Sequence, residues 1–162
     1  MAEIIVIAHN IRSTYNVGAL FRTADGFGVA KLILTGYTPY PSHPGDARLP
    51  HIAEKITHQI HKTALDAETI VPFAYEEVPP IQQLKEAGYR IVALEQAPAS
   101  ISLPLYKKPE KLALVLGEEV HGIPEDLLAH CDDIVEIPMV GEKESFNVSV
   151  AAAIALYQLS LL

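Results

Sequence analysis

The residues best suited to chemistry lie in three short segments, each directly after a predicted buried strand. These segments begin at Glu95, Gly117 and Pro138. Parallel sheets bind ligands at the carboxyl ends of their strands, where such segments meet. If the three strands are neighbours, the sequence predicts one crevice lined by Glu95-Gln-Ala-Pro98, Gly117-Glu-Glu-Val-His-Gly122 and Pro138 to Asn147.

Four residues of these segments are candidates for binding or catalysis, and each also has a simpler explanation. Gly117 has no Cβ and so lets a ligand approach the backbone, but glycine is also common in ordinary turns. Glu118 directly follows a buried strand, so its carboxylate needs hydrogen-bond donors unless it is solvated. Ser145 and Asn147 precede the last predicted helix, where both residue types commonly cap the first turn.

The first predicted helix offers two further polar candidates. Arg22 suits a phosphate group, which a guanidinium binds through two parallel hydrogen bonds. Asn16 adds an amide near the start of this helix. The small residues Gly18 and Ala19, one turn before Arg22, predict room beside it for a bulky partner. The simpler explanation is a surface arginine on the polar face of the helix.

Two other clusters carry reactive residue types at weaker spacings. His58 and His61 bring two imidazoles to one helix face, but no third metal ligand is evident. Cys131 lies beside His130 and Asp132, although adjacent side chains point in different directions and a buried cysteine is commoner than a nucleophile. The chain also lacks the usual glycine-rich nucleotide motifs and Gly-x-Ser-x-Gly. We therefore expect no metal site, and no dehydrogenase, ATPase or serine hydrolase of the usual kinds.

The elements that must position these residues alternate between strand and helix. This alternation predicts an α/β fold, a single-domain and mostly parallel sheet flanked by helices, over residues 1–162. Ser13 or Thr14 is expected to cap the first helix, and Pro72 to place its strand at an edge. Strands are predicted over 4–8, 31–35, 70–73, 90–94, 112–116 and 134–137, helices over 17–24, 52–65, 81–87, 124–130 and 147–161, and loops over 36–50 and 96–109.

Length and composition agree with one globular domain. The chain has 162 residues, of which 49% are hydrophobic and 20% charged, and these values exclude a disordered or fibrous protein. The single Cys131 excludes a disulfide framework and favours a reducing, cytoplasmic setting. The segment 145–162 carries no charge, but polar residues interrupt it, so we expect a buried helix and no membrane span.

The charge of the chain argues against a nucleic-acid partner at first sight. The net charge is −8, whereas nucleic-acid-binding domains are commonly basic. The charges are unevenly distributed, however. Residues 1–65 hold six basic and four acidic side chains, while residues 66–162 hold six basic and sixteen acidic ones. The charge of the chain therefore leaves a nucleic-acid partner open.

Three segments in order resemble the motifs of the SpoU/TrmH branch of the SPOUT RNA methyltransferases. They are Asn10-Ile-Arg-Ser-Thr-Tyr-Asn-Val-Gly-Ala-Leu-Phe-Arg-Thr-Ala-Asp25, Leu114-Val-Leu-Gly-Glu-Glu-Val-His-Gly-Ile123, and Ile137-Pro-Met139 followed by Ser145-Phe-Asn-Val-Ser149. The match spans nearly the whole chain. The resemblance implies methylation of a ribose 2′-hydroxyl in tRNA or rRNA with S-adenosylmethionine, by a homodimer. It also implies a C-terminal trefoil knot, with the knot and cofactor region at about 90–162.

The resemblance also assigns roles to individual residues. The implied neighbours of the cofactor are Leu94, Gly117, Ile137, Met139, Ser145 and Phe146, where Phe146 stands in place of the Leu or Met of many relatives. The implied catalytic residues are Asn16, Arg22, Glu118, Ser145 and Asn147, with Arg22 reaching a cofactor held by the partner subunit. We expect RNA contacts from Arg12, Arg22, Arg48 and Lys55.

Other functions remain open at this point. The same fold can serve as a non-catalytic RNA-binding module, and the acidic balance alone favours a methyltransferase for a non-RNA acceptor. A general nucleotide-binding α/β domain is a further alternative.

Overall fold

Seven parallel strands form one sheet at the centre of the structure, a computed structural model that describes residues 1–161. The strands run in the spatial order β3-β2-β1-β6-β4-β7-β5. Sequential strands are therefore separated on one side of the sheet, and crossovers connect them. The strand bounds are β1 Glu3–His9, β2 Lys31–Thr35, β3 Phe73–Glu76, β4 Arg90–Leu94, β5 Ile101–Ser102, β6 Lys111–Leu116 and β7 Asp133–Glu136.

Helices cover both faces of this sheet, so the central strands are buried on both sides. Because side chains alternate along a strand, Val6 packs with the first layer of helices and Ile7 with the second. The first layer holds α1, α2, α3 and α6, and the second holds α4 and α5. The helices are α1 Thr14–Gly26, α2 Pro50–Ala64, α3 Ala67–Ile70, α4 Ile81–Glu86, α5 Glu125–Ala129 and α6 Val148–Leu161, with a 3₁₀ turn at Leu103–Leu105.

The predicted α/β fold is confirmed, and most elements lie where the sequence places them. Ser13 caps α1, since its hydroxyl accepts a hydrogen bond from the Asn16 N–H at 3.2 Å. The prediction for the third strand is wrong by three residues. Residues 67–70 form the short helix α3, and Pro72 has no N–H to donate, so the strand begins at Phe73. This strand does lie at the edge of the sheet.

The loop predicted over 96–109 contains two short elements that the sequence analysis missed. Ile101–Ser102 forms β5, which pairs with β7 at the other edge of the sheet, and Leu103–Leu105 forms the 3₁₀ turn. A two-residue strand is too short to show an alternating pattern, and Pro104 suggests a loop. The edge pairing therefore depends on the neighbouring strand and not on local sequence.

Strand β4 lies between β6 and β7, which both come later in the chain. The three segments singled out for chemistry therefore follow adjacent strands, as their convergence requires. This strand order is consistent with the expected trefoil knot, which stays a prediction. Within residues 1–161, no helix combines the length and the apolar character needed to cross a membrane.

Helices α1 and α2 pack closely at Gly18. A Cβ on this residue would lie 2.1 Å from Thr63 Oγ1 and 2.3 Å from the Ile60 carbonyl oxygen. Helix α2 of the same chain is thus the bulky partner that packs against Gly18, and no space for a ligand is left beside this glycine. Its small size serves helix packing instead.

The carboxylate of Asp133 ties the starts of β4 and β7 to the loop before β6. It accepts hydrogen bonds from Arg90 Nε and, at 2.9 Å, from Arg90 Nη2. The hydroxyl of Tyr106 donates to the same carboxylate at 2.7 Å. The Arg90 guanidinium lowers the pKa of Asp133 below its usual value of 3.8. Ionised Asp133 therefore stabilises this side of the sheet.

Replacing Asp133 with asparagine is expected to lower the free energy of unfolding at pH 7 by about 1–2 kcal/mol. Because the pKa of Asp133 is lower in the folded state, its stabilisation is complete above the unfolded-state pKa. It is lost as the pH falls through the folded-state pKa. The difference between wild type and variant, measured by urea unfolding, should therefore shrink in acid. Asp25→Asn, at an exposed position of α1, is the control. A difference independent of pH would contradict this account.

Candidate active site

A cavity of about 570 Å³ opens at the carboxyl ends of β4, β6 and β7. This volume lies in the range of small-molecule sites. All three segments singled out from the sequence contribute to its walls. The six residues expected beside a cofactor all line it, namely Leu94, Gly117, Ile137, Met139, Ser145 and Phe146.

The loop after β6 is held in a tight turn by backbone contacts. The Glu118 N–H donates to the Gly122 carbonyl at 3.2 Å, and the Gly122 N–H donates back to the Glu118 carbonyl at 2.9 Å. This turn crosses directly over Gly117, where a Cβ would lie 2.4 Å from the Gly122 carbonyl carbon and 2.5 Å from the Ile123 nitrogen. Gly117 is therefore required for the loop to close, in addition to exposing backbone in the cavity.

Glu118 lies almost fully buried at the base of this loop, with 8% of its surface exposed. One carboxylate oxygen, Oε2, accepts a hydrogen bond from the His121 backbone N–H at 2.6 Å. The same oxygen lies 2.8 Å from Nδ1 of the His121 ring. The backbone hydrogen bond from His121 lowers the pKa of Glu118. The prediction that the Glu118 carboxylate needs hydrogen-bond donors is thus confirmed for one of its two oxygens. Its other oxygen, Oε1, is buried without a partner within residues 1–161.

Glu95 and Gln96 at the end of β4 line the cavity, as predicted for their segment, although neither was singled out as a binding or catalytic residue. Glu95 Oε2 accepts a hydrogen bond from the Ile123 N–H at 3.0 Å, which joins the β4 and β6 loops. Gln96 Nε2 donates to the Glu144 carbonyl at 2.7 Å and so joins the third loop. Their place directly after a strand was the only signal in the sequence, and it does not distinguish them from ordinary loop residues.

A chain of hydrogen bonds connects α1, the β6 loop and α6 beside the cavity. Asn147 Nδ2 donates to Asn16 Oδ1 at 3.3 Å, and Asn16 Nδ2 donates to Glu119 Oε1 at 3.1 Å. Asn147 Oδ1 also accepts from the Ser149 N–H at 2.9 Å, so Asn147 caps α6 as its residue type suggests. Two of the expected catalytic residues, Asn16 and Asn147, are therefore in direct contact.

Glu119, and not Glu118, is the carboxylate that joins this chain. Besides Asn16, it accepts a longer hydrogen bond from the Arg12 N–H at 3.4 Å. Of the two consecutive glutamates, the sequence pointed to Glu118 and carried no signal for Glu119. Strand alternation could not decide between them, because the chain leaves the strand at Gly117 and turns.

The walls of the cavity are acidic. Among its lining residues there is no lysine or arginine, whereas four are glutamates. Such a lining favours a ligand that carries positive charge, because a cation there gains from the nearby carboxylates. Phosphate groups are disfavoured inside the cavity by the same charges. The four are Glu95, Glu118, Glu119 and Glu136.

The cations expected to contact RNA lie outside the cavity. Arg12, Arg22 and Lys55 are exposed. Arg48 is held within the protein, since its guanidinium pairs with Asp46 at 2.7 Å and donates to the carbonyls of Tyr40 and Pro41. The guanidinium of Arg48 also lies over the Tyr40 ring, 3.6 Å from its centre. Its donors are thus largely used inside the loop after β2.

Comparison with known proteins agrees with this geometry. The model of the SpoU rRNA methylase family matches residues 3–157. The tRNA (guanosine(18)-2'-O)-methyltransferase TARBP1 of Mus musculus is 32% identical over 98% of this chain, which covers 9% of that protein. The tRNA (guanosine(18)-2'-O)-methyltransferase of Aquifex aeolicus is 30% identical over 96% of the chain, which covers 68% of it.

A solved structure shares the fold. The AdoMet-bound rRNA methyltransferase from Sinorhizobium meliloti superposes with a TM-score of 0.80 at 23% identity, over 97% of this chain and 55% of that one. The chain thus spans only part of several proteins that it matches. The family model nevertheless covers nearly all of its length, from β1 to α6. The chain therefore belongs to the SpoU rRNA methylase family.

Proposed function

We propose that this chain is an S-adenosylmethionine-dependent methyltransferase that modifies a ribose 2′-hydroxyl in tRNA or rRNA. The observation that carries the proposal is the acidic cavity at the ends of β4, β6 and β7, with Asn16 and Asn147 in contact beside it. Membership of the SpoU family supports the same reaction. An RNA-binding module without catalysis would need neither a cavity of this size nor the adjoining polar chain.

The residues of the cavity fit S-adenosylmethionine. Its sulfonium and ammonium groups are positively charged, which suits the carboxylate lining and the unpartnered Glu118 Oε1. Its adenine ring suits the apolar side chains of Leu94, Ile137 and Phe146, while Gly117 exposes backbone. These residues, with Met139 and Ser145, are the proposed cofactor site. Bound there, the cofactor supplies an activated methyl group on sulfur.

The remaining tasks belong to the side chains of the protein. The ribose 2′-oxygen must be aligned with the methyl group and must lose its proton as the new bond forms. A guanidinium stays protonated in proteins, so Arg22 is better suited to binding phosphate and stabilising negative charge on that oxygen than to accepting the proton. Asn16, Ser145 and Asn147 are proposed to orient the ribose, and Glu119 to hold Asn16 in place.

The RNA is proposed to lie across the N-terminal part of the chain. Arg12, Arg22 and Lys55 present exposed positive charge there, whereas the cavity repels phosphate. Arg48 contributes less than the sequence suggests, because Asp46 and two carbonyls occupy its donors. The affinity for RNA is expected to be modest and to fall with rising salt concentration, as in other phosphate-dominated interfaces.

We propose that the active form is a homodimer. Arg22 is exposed and does not line the cavity of its own chain within residues 1–161, so a second copy is needed to bring a guanidinium to it. Helix α6 carries no charged residue and leaves Val150, Tyr157 and Leu161 exposed. An apolar groove of about 360 Å³ runs beside it, along Leu103, Pro104, Ile137, Pro138, Ala153, Ile154, Tyr157 and Gln158. Light scattering during size-exclusion chromatography measures the molecular mass of the protein and so tests whether it is a dimer.

The domain organisation and the cellular setting are also proposals. We propose one SPOUT domain over 1–162, with the knot and cofactor region at about 90–162, because every lining residue of the cavity falls in that region. A reducing cytoplasmic setting is supported by the single Cys131, which has no second cysteine in this chain to pair with in a disulfide.

The activity is tested by incubating the protein with methyl-labelled S-adenosylmethionine and either total tRNA or total rRNA. The RNA is then digested and its nucleosides are separated. Labelled 2′-O-methyl nucleosides in one of the two samples are the expected result. Label on a base would contradict methylation of the ribose. Label on a protein or small-molecule competitor would contradict RNA as the methyl acceptor. Binding of RNA without methyl transfer would favour the non-catalytic RNA-binding module.

Replacing Glu119 with alanine is expected to lower the rate constant for methyl transfer about tenfold, because Asn16 loses its charged partner. The dissociation constant for S-adenosylmethionine should change less, since Glu119 acts through Asn16. Glu119→Gln keeps an oxygen for the Asn16 amide and should recover much of the rate. Glu125→Ala, which removes an exposed glutamate at the start of α5, is the matched control. Equal losses in Glu119→Ala and Glu119→Gln would show that the contact with Asn16 is not what matters.

A further inference from the structure

Three potential metal ligands meet at the junction of α2 and α3, far along the chain from the lining residues of the cavity. They are His61, Asp66 and Glu68. One ligand atom from each lies within 4.8 Å of the others. His61 Nδ1 is 2.6 Å from Glu68 Oε1 and 3.7 Å from Asp66 Oδ1. The sequence offers His58 as the neighbour of His61, but the fold supplies two carboxylates instead.

The backbone at this junction explains why the three side chains converge. Helix α2 ends at Ala64, and both Leu65 and Asp66 adopt left-handed conformations, with φ of 50° and 76°. This tight turn starts α3 directly beside the last turn of α2, where His61 lies. A cation there also faces the carboxyl end of a helix of 15 residues, where the helix dipole favours positive charge.

Glu68 contributes a buried carboxylate that is only partly paired. The residue is only 7% exposed, and one oxygen contacts His61. Its other oxygen, Oε2, is buried and has no hydrogen-bond partner among the described residues. Buried carboxylate oxygens are normally paired, and an unpaired one calls for a bound water or ion. Within 1–161 no other group of three such ligands comes together.

We propose that His61, Asp66 and Glu68 bind one divalent transition-metal cation of the Zn²⁺ class. One imidazole and two carboxylates form a ligand set that Zn²⁺ accepts, with water completing four-coordination. Mg²⁺ and Ca²⁺ prefer sites made of oxygen alone. On binding, the proton shared between His61 Nδ1 and Glu68 Oε1 is released to solvent. These two atoms, now 2.6 Å apart, must then move apart, because Zn²⁺ lies about 2 Å from each ligand atom. It braces α2 against α3 and has no part in the proposed methyl transfer.

The test uses the full chain without an affinity tag, stripped of metal with a chelator and returned to chelator-free buffer. Titration with ZnCl₂ in a calorimeter should give one saturable site per chain, and Zn²⁺ should raise the melting temperature. Co²⁺ should bind with the visible absorption bands of a low-symmetry four-coordinate site. Glu68→Gln and the exposed Asp66→Asn should each weaken Zn²⁺ binding about tenfold or more.

His58→Ala is the matched control, because His58 is an exposed imidazole three residues from His61 on the same helix. It should leave the Zn²⁺ affinity unchanged. The proposal is overturned if the wild type shows no saturable site, or if Asp66→Asn binds Zn²⁺ as tightly as the wild type does. Asp66 is exposed, so a folding defect does not obscure that result. Neither outcome affects the methyltransferase proposal, which involves other residues.

Discussion

Replacing Arg22 with alanine is expected to lower the rate of RNA methylation about a hundredfold to a thousandfold. Removing one donor that stabilises a developing negative charge typically has an effect of this size. Arg22 is exposed, so the melting temperature should stay as in the wild type. Its proposed contacts are with the RNA phosphate and the 2′-oxygen and not with the cofactor, so the affinity for S-adenosylmethionine should change little. Single-turnover methylation, calorimetry and thermal unfolding measure the three quantities. Lys107→Ala, at another exposed cation, is the control.

The conservative variant Arg22→Lys tests whether the site needs only a positive charge at this position or also the two parallel hydrogen bonds that a guanidinium forms to phosphate. Lysine keeps the charge but cannot form two parallel hydrogen bonds to phosphate. A large loss of rate is therefore expected in this variant as well. If Arg22→Lys keeps nearly the full rate at neutral pH, recognition of phosphate by two parallel bonds is not essential and the proposed clamp is wrong.

Mixed dimers test whether Arg22 acts on the cavity of the partner. Arg22→Ala is expected to show little activity alone, and so is Gly117→Ala when the S-adenosylmethionine concentration is kept well below its raised dissociation constant. In a dimer with one chain of each type, action across the interface leaves one complete site. An equal mixture that exchanges subunits freely should then regain about a quarter of the wild-type activity. If each Arg22 serves its own chain, both sites stay defective and no activity returns.

Replacing Gly117 with alanine is expected to weaken S-adenosylmethionine binding at least tenfold and to lower the melting temperature. The new Cβ would lie 2.4 Å from the Gly122 carbonyl carbon and 2.5 Å from the Ile123 nitrogen. Both are backbone atoms, so the loop must move as a whole, and overpacking of this kind costs about 1–3 kcal/mol. The two hydrogen bonds between Glu118 and Gly122 should break. Calorimetry measures the loss of affinity.

Gly141→Ala is the matched control for this prediction. Gly141 lies in the loop between β7 and α6, and a Cβ there meets nothing within 4 Å. This variant should bind S-adenosylmethionine and unfold as the wild type does. If Gly117→Ala also binds the cofactor normally, the turn after β6 adapts more easily than the structure indicates. The proposed role of Gly117 would then be wrong.

Local patterns predicted most of the secondary structure because burial imposes a period on the sequence. The unbroken apolar runs at 4–8 and 112–116 became the central strands β1 and β6. The spacing of Val17, Leu20, Phe21 and Ala24 predicted the buried face of α1. The errors fell at the edges of the sheet, in β3 and β5, where short strands carry little pattern and pairing with a neighbour decides the structure.

The α/β class, the family and the identity of the loops that form the cavity all follow from the sequence alone. These properties depend on neighbouring residues and on motifs read in order. Which individual side chains meet, by contrast, depends on how distant segments pack. Glu119 bonds to Asn16 across 103 positions of the chain, and Asn147 reaches Asn16 across 131. Arg48 turns inward to Asp46, and Gly18 serves helix packing. Contacts of this kind form between segments that are distant in the chain, and such packing leaves no periodic signal in the local sequence.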